Sequence, residues 1–152
     1  MAKAIGGRWI RLGSGDKAAY HAAAVLTCNY LVTLVKMATD LWDVFGIPRE
    51  QAIQALLPLL RGTVNNIESL GIPGALTGPV ARGDAGTVRI HLEALEQTAP
   101  DLVPAYCEMG LQTLPVALAK GKIDSKQAGE LEIIFKRSLK SFSEREDKCV
   151  RC

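Results

Sequence analysis

The chain has 152 residues, 48% of them hydrophobic, and a formal net charge of +2. That length suits one domain, or one plus a tail, with enough apolar material for a core that needs no metal or disulfide staples. Basic residues are scattered and aromatics make up only 5%, which argues against nucleic acid as a partner: a clustered basic face and stacking platforms are both missing.

The first residues, Met1-Ala2-Lys3-Ala4-Ile5-Gly6-Gly7-Arg8, lack the apolar stretch of a signal peptide. No apolar run is expected to reach the roughly 18 residues needed to span a bilayer without a strong polar interruption. The expected compartment is the cytoplasm, with no membrane partner. Residues 1–16 differ from the rest. Trp9-Ile10-Arg11-Leu12 is strand-like and sits between Gly6-Gly7 and Gly13-Ser14-Gly15, as if it closed a preceding element. Asp16 is placed to cap the helix that follows.

A long first helix is predicted from about residue 17 to 44, roughly 40 Å at helical rise. Its segment Tyr20-His21-Ala22-Ala23-Ala24-Val25-Leu26-Thr27-Cys28-Asn29-Tyr30-Leu31-Val32 is apolar almost all round, the pattern of a buried central helix. Burying it would also bury His21, Thr27 and Asn29, which then need partners. Phe45-Gly46-Ile47-Pro48 stops it, with glycine past the end and proline following. A second helix is predicted from 49 to about 69, kinked or broken at Pro58 and closed by Leu70-Gly71-Ile72-Pro73-Gly74. Residues 75–84 are too rich in Gly and Pro for a helix and read as a structured loop. Asp84 caps a short helix over 85–98. Another spans about 101–120, with Pro104 in its first turn and Pro115 inside. Asp124-Ser125-Lys126-Gln127 caps a last amphipathic helix ending near 141, followed by a charged, fraying tail over 143–152. The predicted fold is all-α: about five helices around a buried first helix, with 17–142 as the helical domain.

Two clusters could carry chemistry. His21, Val25 and Asn29 follow an i, i+4, i+8 spacing and so share one helical stripe, with His21 and Asn29 about 12 Å apart. They either line a substrate site, His21 as acid or base and Asn29 orienting a carbonyl, or are core groups satisfied by backbone. In the loop, Thr77 and Arg82 near a helix start could hold an anion, Arg82 through its planar fork. The alternative is a linking turn whose arginine is solvated or pairs with Asp84. Lys36 and Asp40 form a surface ion pair by spacing, and His91 reads as a rim or surface residue. Cys28 and Cys107 lie in apolar helical patterns, as ordinary buried thiols do. Cys149 and Cys152 have the spacing of a redox or half-metal motif, without a second pair nearby. No metal-ligand constellation and no glycine-rich nucleotide fingerprint occurs in the 152 residues.

Tyr20-His21-Ala22-Ala23-Ala24-Val25, Cys28-Asn29-Tyr30-Leu31-Val32, Gly46-Ile47-Pro48, Leu76-Thr77-Gly78-Pro79 and Ala81-Arg82-Gly83-Asp84 together resemble an uncharacterised helical domain. In that family it follows a Rossmann domain in NAD(P)-dependent oxidoreductases. The resemblance covers roughly 2–141 and extends to the superfamily of the 6-phosphogluconate dehydrogenase C-terminal domain, where the helical half lines the substrate site and forms a dimer interface. It implies that residues 1–16 are the end of a Rossmann domain. It also implies that NAD or NADP would be bound only through such a domain, in cis or in trans, and not by this chain alone. Hydroxyacid dehydrogenases of the superfamily place a catalytic lysine four residues before an asparagine. Here Asn29 fits the asparagine but Val25 stands at the lysine position, so His21, one turn earlier, is the candidate proton carrier.

The expected protein is therefore a substrate-binding and dimerisation domain, a homodimer acting on a small carbonyl, imine or hydroxyacid by hydride transfer. Catalytic candidates are His21 and Asn29, and substrate-binding candidates are Thr77 and Arg82. The alternatives are a non-catalytic dimeric helical interaction module and, more weakly, a redox or metal sensor using Cys149 and Cys152.

Overall fold

The computed structural model describes residue 13 and residues 15–150, with side chains as far as residue 145. Most of the segment read as the end of a Rossmann domain, and the side chains of Cys149 and Cys152, lie outside the described residues. Among the described residues the fold is all-α, with no strand. The chain divides into two compact units, Met1–Asp40 and Leu41–Cys152.

The first unit is the long helix. It comprises α1 (Lys17–Ala24), a wide π turn (Val25–Asn29) and α2 (Tyr30–Asp40). Alanine-rich sequence favours α1. Asp16 occupies its N-cap position, but its carboxylate makes no cap bond. It turns back to accept from the Gly13 N–H at 2.8 Å instead. In the π turn the Tyr30 N–H reaches back five residues to the Val25 carbonyl, so the helix is locally wound more widely than α geometry.

The expectation of a buried first helix does not hold for the single chain. Thr39 is the only buried residue of α1, the π turn and α2. Tyr20 and Leu26 are each 63% exposed and Val32 71%. Cys28 is exposed as well. All-round apolarity shows that a helix needs covering, but not that its own chain supplies the cover. The same run corrects the expectation about membranes. Lys17–Phe45, 29 residues, is by length and composition apolar enough to cross a bilayer, because residues 18–35 contain no Asp, Glu, Lys or Arg.

The second unit opens with a 3₁₀ segment (Leu41–Phe45), ended by Gly46 at φ +67°. Next comes α3 (Arg49–Gly74), in which the backbone leaves helical geometry at Gly71 and Ile72 and not at Pro58. Gly71 has φ +65°, a conformation that glycine adopts at little cost. The loop 75–84 contains one short 3₁₀ turn, Val80–Arg82. Then follow α4 (Ala85–Thr98), a 3₁₀ turn (Pro100–Leu102), α5 (Val103–Lys120) and α6 (Ser125–Val150). A reciprocal capping box starts α6: Asp124 Oδ1 accepts from Gln127 N–H at 2.8 Å, and Gln127 Oε1 accepts from Asp124 N–H at 3.1 Å.

The last helix corrects the prediction of an end near 141 and a charged tail. It runs on to Val150 through residues with no Gly or Pro to break it. Phe142 still packs against the core, and Arg145 reaches Glu96 on α4 at 3.5 Å.

The core lies between α4, α5 and α6. Val88, Leu92 and Leu95 supply one stripe, Val103, Cys107 and Leu114 the second, and Leu131 and Phe135 the third. These repeat at three and four residues, the spacing that keeps one helix face inward. Gly110 is the point of closest approach. A Cβ there would meet the Phe135 ring, with Cε1 at 2.6 Å, so only glycine lets the ring seat against α5. Burial, helped by the negative Glu108 and Glu96, pushes the Cys107 thiol up to about 11.

Candidate functional site

The structured loop after α3 is where cationic side chains converge. Gly78 at φ +92° and Gly83 at φ +66° turn the backbone on either side of the Val80–Arg82 turn. At Gly83 a Cβ would also crowd the Gln127 side chain, whose Nε2 lies 2.7 Å from where it would stand. Asp84 then starts α4. Its Oδ1 accepts from the Thr87 N–H at 3.0 Å and its Oδ2 from the Thr87 hydroxyl at 2.7 Å. These two bonds hold its carboxyl below the usual range, with Arg82 and His91 adding smaller attractions.

Lys120, at the last position of α5, ties the loop to that helix. Its Nζ donates to the Gly74 carbonyl at 2.9 Å and the Leu76 carbonyl at 2.6 Å. A second small cluster, Ala117, Ile123 and Ala128, packs beneath with Leu76 and Val80. Together these contacts fix a cavity of about 380 Å³ lined by Thr77, Gly78, Arg82, Lys120 and Lys122, with Leu76 and Ala81 as its apolar walls. Three cations face it and no carboxylate lines it.

Two of the four predicted site residues, Thr77 and Arg82, thus line one cavity. Arg82 is exposed and sits 3.7 Å from Asp84, beyond hydrogen-bond distance. His21 and Asn29 belong to the other compact unit. Both are exposed rather than members of a satisfied core network, and so is Thr27, whose hydroxyl donates to the Ala23 carbonyl at 2.8 Å. Asn29 closes the π turn, so its position about the helix axis differs from the one uniform α periodicity assigns it. π turns inside α-helices are frequent at functional sites, and this one coincides with the segment singled out from sequence. Lys36 and Asp40 form the expected ion pair at 2.6 Å.

Sequence reasoning missed Lys120 and Lys122. The signal was the Lys120-Gly121-Lys122 triplet, in which Gly121 at φ +71° ends α5 and both lysines line the loop cavity. It also missed a second cavity, about 410 Å³ and almost wholly apolar, between the Leu41–Phe45 turn and α4 and α5. There His91 Nδ1 and the Tyr106 hydroxyl are 2.9 Å apart. His91 is exposed as predicted, yet hydrogen-bonded. Burial first, and then the neighbouring Cys107, raises the Tyr106 phenol above its usual value. Among the described residues no group of His, Cys, Asp and Glu could hold a metal ion.

Fold and site together define an all-α protein with an exposed apolar helix and a basic loop cavity. The chain belongs to the family described as Domain of unknown function (DUF2520), whose model matches residues 1–113. That match ends within α5, so Lys120, Lys122 and α6 lie beyond it. No curated protein and no solved structure matches the chain.

Proposed function

We propose that this chain is the helical substrate-binding and dimerisation part of an NAD(P)-dependent oxidoreductase, which transfers a hydride to or from a small carbonyl, imine or hydroxyacid when joined to a Rossmann domain. The observation that carries this reading is the exposure of the apolar first helix. A helix of that composition with a single buried residue needs a covering surface, and a second copy of the chain and a nucleotide domain would provide it. His21, Thr27 and Asn29 fall within its most apolar stretch. Such groups are expensive in hydrocarbon, which favours protein over lipid as the cover. The resemblance of Tyr20–Val25 and of the Leu76–Asp84 loop to the helical half of such enzymes supports the same reading.

In this mechanism the nucleotide domain would hold the cofactor, which would give or take the hydride. His21 moves or shares the substrate proton and Asn29 orients the reacting carbonyl or hydroxyl. Thr77 and Arg82 hold an anionic group of the substrate. The protein is expected to act in the cytoplasm.

The test starts from the intact mass of the native polypeptide. A species about twice this length, the size of two domains, is expected. In it, His21→Ala should lower kcat by about a hundredfold. Unchanged turnover in His21→Ala and Asn29→Ala sinks the catalytic assignment. A native species of 16.3 kDa without a nucleotide-binding partner chain makes the non-catalytic dimeric module the better account.

A further inference from the structure

We infer that the basic loop cavity binds a compact dianion, and that the substrate therefore carries a phosphate monoester. This builds on the reading of the chain as a substrate-binding domain. The charge balance of the cavity is the reason. Arg82, Lys120 and Lys122 line it, and no Asp or Glu does. Asp84, outside that lining, pairs with Arg82 at 3.7 Å and offsets one of the three charges, which leaves a balance of about two positive charges. Lys120 spends two of its N–H groups on the neutral Gly74 and Leu76 carbonyls, which leaves its charge uncompensated and one donor free. Lys122 takes part in no ion pair among the described residues.

A monocarboxylate would leave one of the two remaining charges unmatched. A phosphate monoester, with close to two negative charges and three terminal oxygens, matches that balance and offers an oxygen to each cation. The Thr77 hydroxyl supplies a neutral donor, and Gly78, with open space where a Cβ would be, keeps that wall clear. At about 380 Å³ the cavity takes a phosphate together with a short carbon chain. The groove between α4 and α6 provides the contrast. It also holds arginines, but Arg89 is paired with Glu130 at 2.8 Å and Glu93 and Glu96 line the same space, so acid outweighs base there.

Inorganic phosphate, glycerol phosphate and acetate would each be titrated into the full 152-residue chain at low ionic strength and neutral pH, followed by backbone amide NMR. Both phosphates should bind more tightly than acetate, shifting the Thr77, Gly78 and Arg82 amides. Glycerol phosphate should bind at least as well as inorganic phosphate. Arg82→Ala and Lys122→Ala, both exposed and outside the core, should each weaken phosphate by about fivefold. Lys120 is left intact because it holds the loop in place. Acetate binding as well as phosphate, shifts elsewhere, or variants that bind like the parent chain would each overturn the assignment. Absent phosphate binding beside a His21-dependent hydride transfer removes this inference alone. Phosphate binding with turnover indifferent to His21 and Asn29 removes the redox assignment and keeps the dianion site.

Discussion

The two compact units are both rich in apolar side chains and use them in opposite ways. In the Leu41–Cys152 unit three helices turn their apolar stripes toward each other, and Val88, Val103, Leu131 and Phe135 are wholly buried. In the first unit the long helix keeps Tyr20, Leu26, Tyr30 and Val32 exposed. Hydrophobic content therefore measures how much surface wants cover, not which surface provides it. One unit completes its own core. The other presents a face that a second polypeptide surface can complete.

The largest expected effect contrasts the two units by truncation. Phe135→Ala should destabilise the folded chain by about 3–5 kcal/mol, because it empties the space against Gly110 that no neighbour can fill. Val32→Ala should change stability by no more than about 0.5 kcal/mol, since the side chain already meets solvent. Denaturant unfolding of both variants checks this. Equal losses would mean that the first helix is covered in the free chain.

A smaller effect separates the cysteines. In the monomeric chain Cys28 is exposed while Cys107 is buried, its thiol held protonated at neutral pH by a pKa of about 11. A thiol reagent followed by peptide mapping should modify Cys28 at least about tenfold faster than Cys107. Slow labelling of Cys28 at high protein concentration would locate a covering surface on the first helix. Unchanged labelling there would place that surface elsewhere.

The smallest effect is the acid response of the helix cap that borders the basic cavity. Asp84 has its pKa lowered in the folded protein from 3.8. It therefore contributes stability that is fully present above that unfolded value, and this is lost as pH falls through the lower folded value. Asp84→Asn keeps an oxygen for the cap and removes the titration. Its Tm should fall less steeply than that of the parent below about pH 4. Parallel acid limbs for the two proteins would show that the cap carries no such linkage.

Much of the fold was legible along the chain. Asp84 and the Asp124/Gln127 pair mark helix starts by their chemistry, Gly46 and Gly121 mark helix ends, and the Gly/Pro density of 75–84 excludes a helix. These are local signals, set by backbone geometry within a few residues. Pro58 misled, because one missing N–H did not end the helix there, whereas Gly71 could take the positive φ that does. The end of α6 misled as well: a charged run after 141 looks like a tail until Glu96 on another helix pairs with Arg145.

The candidate site divides the same way. Thr77 and Arg82 stand five residues apart in one loop, so their joint presence at one cavity follows from local sequence. Lys120 and Lys122 lie some forty residues further on, and only the packing of α5 against the loop brings them to the same wall. The helical class, most caps and breaks, and the loop that bears Arg82 follow from local sequence, because they depend on residues close together in the chain. The tertiary structure decided which apolar stripes found partners, that His21 and Asn29 are exposed, and that three cations share one cavity. Those outcomes depend on distances between segments that periodicity along a single helix does not encode.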